Sequence, residues 1–174
     1  GITVFPLPIA SISGKASICV GGTTVLTASG GATYLWSTGA TASSIISAPA
    51  ETTLYSVTVT SSDGCSSTAS LNVVVNPLPS PVITGDFEIC IGQSTALTAS
   101  GGMSYEWSTG ENANSIDVGP GTYTVTVSDV SGCTGTTQKI ITTSPPLTAV
   151  IAGANSACAA GTTTLTASGG TVYE

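Results

Sequence analysis

The chain has 174 residues, of which only 6% are charged, against about 25% in an average soluble domain. It carries two basic residues, nine acidic residues and no His, so its formal net charge is −7. This composition excludes nucleic-acid binding, which needs clustered Lys and Arg, and catalysis by His, and no apolar run approaches the ~18 residues of a membrane-spanning helix.

Internal repetition organises the chain. The segment 19–31 returns as 90–102 and again as 158–170, each time beginning with Cys and ending in Ser-Gly-Gly. The pattern Tyr-x-Trp-Ser-Thr-Gly occurs at 34–39 and at 105–110. Self-similarity at a nearly fixed period indicates tandem modules, each built as one structural unit.

Pro-rich joints separate the modules. They lie at 5–8, 76–79 and 144–147, and because Pro fixes φ these linkers are expected to be short and stiff. The predicted domains are the last strand of a preceding repeat, two complete repeats and the truncated start of a third: 1–6, 7–77, 78–145 and 146–174.

Within each module the apolar residues alternate with polar ones, which predicts half-buried β-strands rather than helices. Tyr55, Val57 and Val59 share one face of a strand, and the same alternation starts at Tyr123. The residues predicted to form the core, by their repeated positions in this pattern, are Leu26, Tyr34, Trp36, Tyr55, Leu97, Tyr105, Trp107 and Tyr123.

The fold class predicted from these elements is all-β. Six or seven short strands in each unit, with one Trp early and one Tyr late, favour an immunoglobulin-like β-sandwich over a β-solenoid. Each unit should span roughly 35–40 Å along its strands. Because the joints are short, we expect the tandem sandwiches to extend end to end.

Five cysteines occupy repeated positions: Cys19, Cys90 and Cys158 open a unit, and Cys65 and Cys133 close one. We expect the disulfides Cys19–Cys65 and Cys90–Cys133, with the partner of Cys158 outside the chain. Each bond would stabilise its own small unit by roughly 4 kcal/mol and would indicate an oxidising, extracellular compartment. A zinc site is disfavoured, because each unit has two Cys and no His.

We predict no catalytic, cofactor-binding or metal site, and therefore no enzyme activity. The acidic residues do not repeat. Three weaker hypotheses remain: a calcium site near Asp86 and Glu88, sugar stacking on Trp36 and Trp107, and addition of a partner strand to a Thr-rich sheet edge.

The unit that runs from Cys-x-Gly through Leu-Thr-Ala-Ser-Gly-Gly, Tyr-x-Trp-Ser-Thr-Gly and Gly-Thr-Tyr-Thr-Val-Thr-Val to Gly-Cys resembles a known repeat. It is similar to the immunoglobulin-like and PKD-like repeats of very large Bacteroidota surface proteins, which include SprB-like gliding-motility adhesins and other cargo of the type IX secretion system.

The resemblance implies a structural or adhesive repeat region at the cell surface, active in surface attachment or gliding. It implies as partners further repeats of the same chain, proteins of the secretion or motility apparatus, and surface glycans. Two alternatives remain open: a passive stalk of a secreted multidomain enzyme, and a subunit of an extracellular fibre.

Overall fold

The computed structural model describes residues 1–170. Every regular element in this range is a β-strand, which confirms the predicted all-β class. The described part of the chain contains no helix with the length and apolarity needed to cross a membrane.

The first unit contains seven strands in two sheets. One sheet has the order β1-β3-β5 and the other the order β2-β7-β6-β4. Neighbouring strands in both sheets are antiparallel, except that β2 runs parallel to the end of β7. The strands are β1 Ser11–Gly14, β2 Ser17–Cys19, β3 Thr24–Ser29, β4 Thr33–Trp36, β5 Ser44–Ser47, β6 Thr53–Thr60 and β7 Ser66–Asn76.

The second unit repeats this arrangement, with one sheet in the order β8-β10-β12 and the other in the order β9-β14-β13-β11. Here β9 runs parallel to the end of β14. The strands are β8 Val82–Thr84, β9 Glu88–Cys90, β10 Thr95–Ser100, β11 Ser104–Trp107, β12 Ser115–Val118, β13 Gly121–Ser128 and β14 Thr134–Ser144.

The remaining described residues contain a two-stranded antiparallel sheet of β15 Val150–Ala152 and β16 Thr166–Ser168. Its register, Val150 opposite Ser168, repeats that of Val82 opposite Ser100 in the second unit. Both strands are exposed, because the strands that cover this position in the complete units have no counterparts among the described residues.

The alternating sequence pattern accounts for the core of each sandwich. Strands β3 and β10 bury every second residue, so Leu26 and Leu97 are fully enclosed. Strands from the facing sheet add Trp36 and Trp107, each only 2% exposed. Each unit thus has its own core between two sheets, in the immunoglobulin-like manner.

The predicted core tyrosines differ in depth. Tyr55 is buried and bonds through its hydroxyl to Ser47. Tyr34, Tyr105 and Tyr123 are half-buried and pack against the edges of the cores, because each phenol oxygen must reach a backbone carbonyl. Their hydroxyls donate to the carbonyl oxygens of Gly31, Gly102 and Gly119 at 3.0, 3.1 and 3.2 Å.

Residues 1–10 lie outside any strand. A strand requires a second strand paired with it by backbone hydrogen bonds, and among the described residues no strand pairs with 1–6. The assignment of 1–6 as the last strand of a preceding repeat, and the other predicted domain boundaries, stay predictions.

Replacing Trp107 by Ala tests the core of the second unit. Trp107 fills the space between the sheets and its Nε1–H donates to Ala113 O at 2.9 Å. Losing it should cost about 3–5 kcal/mol, which is comparable to the stability of a unit this small. Thermal unfolding should therefore show one unit melting early.

The neighbouring variant Glu106→Ala, on the exposed face of the same strand, should leave the melting curve unchanged. Equal curves for both variants would contradict the core assignment.

Candidate functional site at the joint between the units

Cys19 lies at the C-terminal end of the first unit. It ends β2, whose three residues run parallel to the last residues of β7, so that Cys19 is opposite Asn76. The Asn76 side-chain amide donates to Ser17 Oγ at 2.7 Å, and the backbone carbonyl oxygen of Asn76 accepts from the Val20 N–H at 2.9 Å. Asn76 therefore fixes the opening cysteine beside the point where the chain leaves the unit.

Cys133 lies at the opposite end of its own unit, in the turn between β13 and β14. Asp129 Oδ1 accepts the backbone N–H groups of Ser131 and Cys133, each at 2.8 Å. Gly132 has φ +77°, a conformation that other residues rarely adopt. This turn places Cys133, which is 1% exposed, at the N-terminal end of the second unit.

The linker between the units lies against that same end. A Cβ on Gly135, the second residue of β14, would lie 2.2 Å from the Pro79 carbonyl oxygen, so only Gly permits this approach. The equivalent contact in the first unit is a hydrogen bond of 2.6 Å from Ser67 Oγ to Pro8 O. Each linker thus docks on the start of the last strand of the unit that follows it.

A disulfide bond joins Cys19 to Cys133, with 5.6 Å between their Cα atoms and a sequence separation of 114 residues. It connects the C-terminal end of the first unit to the N-terminal end of the second. The two units are therefore held together by two covalent connections, the linker and the disulfide.

The predicted pairing, Cys19 with Cys65 and Cys90 with Cys133, is wrong. Cys65 precedes β7, whereas Cys19 lies beside its last residue, and β7 has 11 residues. At about 3.3 Å per residue the strand separates the two cysteines by roughly 35 Å, while a disulfide requires Cα atoms within about 7 Å. Strand β14, also of 11 residues, separates Cys90 from Cys133 in the same way.

Three cysteines are not bonded: Cys65, which is half-buried, and Cys90 and Cys158, which are exposed. Cys90 lies opposite Ser144 in a parallel pair, as Cys19 lies opposite Asn76. The sequence shows half of this geometry, the long last strand between each closing cysteine and the following Pro-rich joint. It does not show that the opening cysteine lies at the far end of that strand.

Two of the three additional sequence hypotheses, the calcium site and sugar stacking, find little support, and the addition of a partner strand stays a prediction. Residues 1–170 contain no group of three or more His, Cys, Asp or Glu side chains able to hold a metal ion. Glu88, a proposed calcium ligand, instead accepts a hydrogen bond from Ser144 Oγ at 2.6 Å. Trp36 and Trp107 cannot offer a stacking face to a sugar, because both indoles are buried.

An open depression of the first unit borders β5, which lies at the edge of its sheet. Ala40, Ile45, Pro49 and the ring of Tyr55 are among its lining residues, and none of the lining residues is a carboxylate. The depression therefore offers apolar contact but no acid–base pair of the kind that hydrolases use.

No family model and no curated protein matches the chain. Among solved structures, the chain is similar to murine CEACAM1b at 10% identity, with a TM-score of 0.38, over 77% of this chain and 99% of that chain. It is also similar to a 1.5-MDa bacterial ice-binding adhesin described in connection with host cell surface retention, at 16% identity with a TM-score of 0.40, over 84% of this chain and 69% of that chain.

Cutting the linker tests whether the disulfide holds the two units together. With a site-specific protease sequence inserted between Leu78 and Pro79, cleavage should leave both fragments in one band on a non-reducing gel and release two bands after reduction. In a Cys19→Ser background the same cut should release two bands under both conditions. Separation of the oxidised parent without reductant would show that the disulfide does not cross the joint.

Proposed function

We propose that this chain is a tandem-repeat segment of a large cell-surface adhesin, in which consecutive sandwiches are locked end to end to project or transmit tension. The observation that supports this most is the Cys19–Cys133 bond between two successive units. A bond within one unit would stabilise that unit, whereas a bond between units constrains how they are placed.

The positions of the two cysteines favour an extended arrangement. Cys19 lies where the first unit's last strand ends, and Cys133 lies where the second unit's last strand begins. A short linker with Pro77 and Pro79 connects the same two ends. With both connections at facing ends, neighbouring units have little freedom to fold back on each other.

The composition suits an exported filament. Disulfides persist in oxidising compartments and are rare in the cytosol. The chain carries few charges but is negative overall, which favours solubility. Repetition of a weakly binding unit would add avidity without a strong individual site.

The resemblance of the repeats supports a more specific proposal: the chain belongs to a gliding or attachment adhesin of a Bacteroidota cell and is exported by type IX secretion. Its partners would then be proteins of the secretion or motility apparatus and glycans of the surface. The two alternative roles, an enzyme stalk and a fibre subunit, are outcomes of the test below.

The test uses antibodies raised against residues 7–145 and a strain that lacks these residues. We expect the antibodies to label intact cells, and the deletion strain to detach at lower shear and to spread less than its parent. Permeabilised cells are the control for total protein. Labelling that requires permeabilisation would contradict the surface location. Surface labelling with unchanged attachment and spreading would favour a passive stalk, and labelling on shed fibres would favour the fibre subunit.

A further inference from the structure

Cys90 occupies in the second unit the place that Cys19 occupies in the first. It ends β9 opposite Ser144, the last residue of β14, as Cys19 ends β2 opposite Asn76. The turn that follows is also the same: the Gln93 N–H donates to Cys90 O at 3.1 Å, and the Gly22 N–H donates to Cys19 O at 2.8 Å. Cys90 is exposed, at the C-terminal end of its unit.

Cys65 likewise occupies the place of Cys133. The Ser61 N–H donates to Cys65 O at 2.8 Å and the Gly64 N–H to Ser61 O at 3.1 Å. In the second unit the corresponding pairs, Asp129 with Cys133 and Gly132 with Asp129, lie at 3.0 and 3.1 Å. The two turns therefore hold their cysteines in the same backbone geometry.

The surroundings of Cys65 show where a partner would lie. Its Sγ is 3.8 Å from the carbonyl oxygen of Phe5, and Phe5 is the first residue of the first joint as Asn76 is the first residue of the second. Cys19, which bonds Cys133, lies beside Asn76. The position beside Phe5 is thus the one that an opening cysteine would take.

We infer that Cys65 and Cys90 are inter-repeat disulfide sites: Cys65 bonds the opening cysteine of the preceding repeat, and Cys90 bonds the closing cysteine of the following repeat. This inference rests on the proposed function, because it requires that further repeats flank these units. In each step two thiols lose two protons and two electrons to form one S–S bond. A dithiol–disulfide oxidase of the export compartment accepts the electrons by thiol–disulfide exchange.

The resulting covalent loops overlap. The loop closed by the Cys19–Cys133 bond contains Cys90. The next loop, which begins at Cys90, therefore starts inside the first one. A covalent path therefore runs from Cys65 through β7, the linker, β8 and β9 to Cys90, and crosses from there to the following repeat. A second path, through Cys19 and Cys133, passes the same joint independently. If the backbone is cut at one joint, the filament therefore stays connected. Within each unit, the residues between its own opening cysteine and its own closing cysteine lie outside both paths and carry no tension.

The test is a disulfide map of the protein taken from its native cells. Cells are lysed in N-ethylmaleimide, and the purified protein is digested without reduction. We expect the peptides that contain Cys65 and Cys90 to be cross-linked to cysteine peptides of other repeats and to carry no maleimide. The Cys19–Cys133 peptide in the same digest is the internal control. In a Cys90→Ser strain, one cysteine of another repeat should become maleimide-labelled while Cys19–Cys133 remains.

Two results would overturn the inference in distinguishable ways. Maleimide on Cys65 and Cys90 in a protein with further repeats would leave the proposed function standing and would show that these thiols stay reduced. A digest without peptides of further repeats would remove the partners and, with them, the tandem-repeat function.

Discussion

The length of the last strand in each unit constrains the rest of the molecule. An 11-residue strand spans a whole sandwich, with the closing cysteine at its start and the opening cysteine beside its end. Because these two thiols lie roughly 35 Å apart, they cannot bond within their unit. They can bond only across a joint, where the end of one unit meets the start of the next.

Hydrogen bonding and packing keep the two ends in register. Asn76 holds β2 against the end of β7, and Asp129 shapes the turn that carries Cys133. Gly135 lets the Pro79 carbonyl approach the start of β14. None of these contacts belongs to the cores that keep each sandwich folded. The sequence thus contains one set of residues for the units and another for the joint.

The difference between the two sets explains what could be predicted from the sequence. Alternation of apolar residues is a local signal, and it indicated the strands and the buried positions of Leu26, Trp36 and their repeats. The pairing of β2 with β7 is a long-range, parallel contact of three residues, and no local pattern announces it. The repeated cysteine positions alone therefore favour the pairing of Cys19 with Cys65, whereas Cys19 bonds Cys133. The half-burial of Tyr34 also escaped prediction, because it depends on a hydroxyl reaching the carbonyl of Gly31.

A non-reducing peptide map of the oxidised 174-residue chain shows whether its disulfide crosses the joint between the units. We expect one disulfide peptide that joins Cys19 to Cys133, together with alkylated Cys65, Cys90 and Cys158. A map that joins Cys19 to Cys65 and Cys90 to Cys133 would contradict this expectation, since the cysteines would then lock single units and leave the joint to the linker alone.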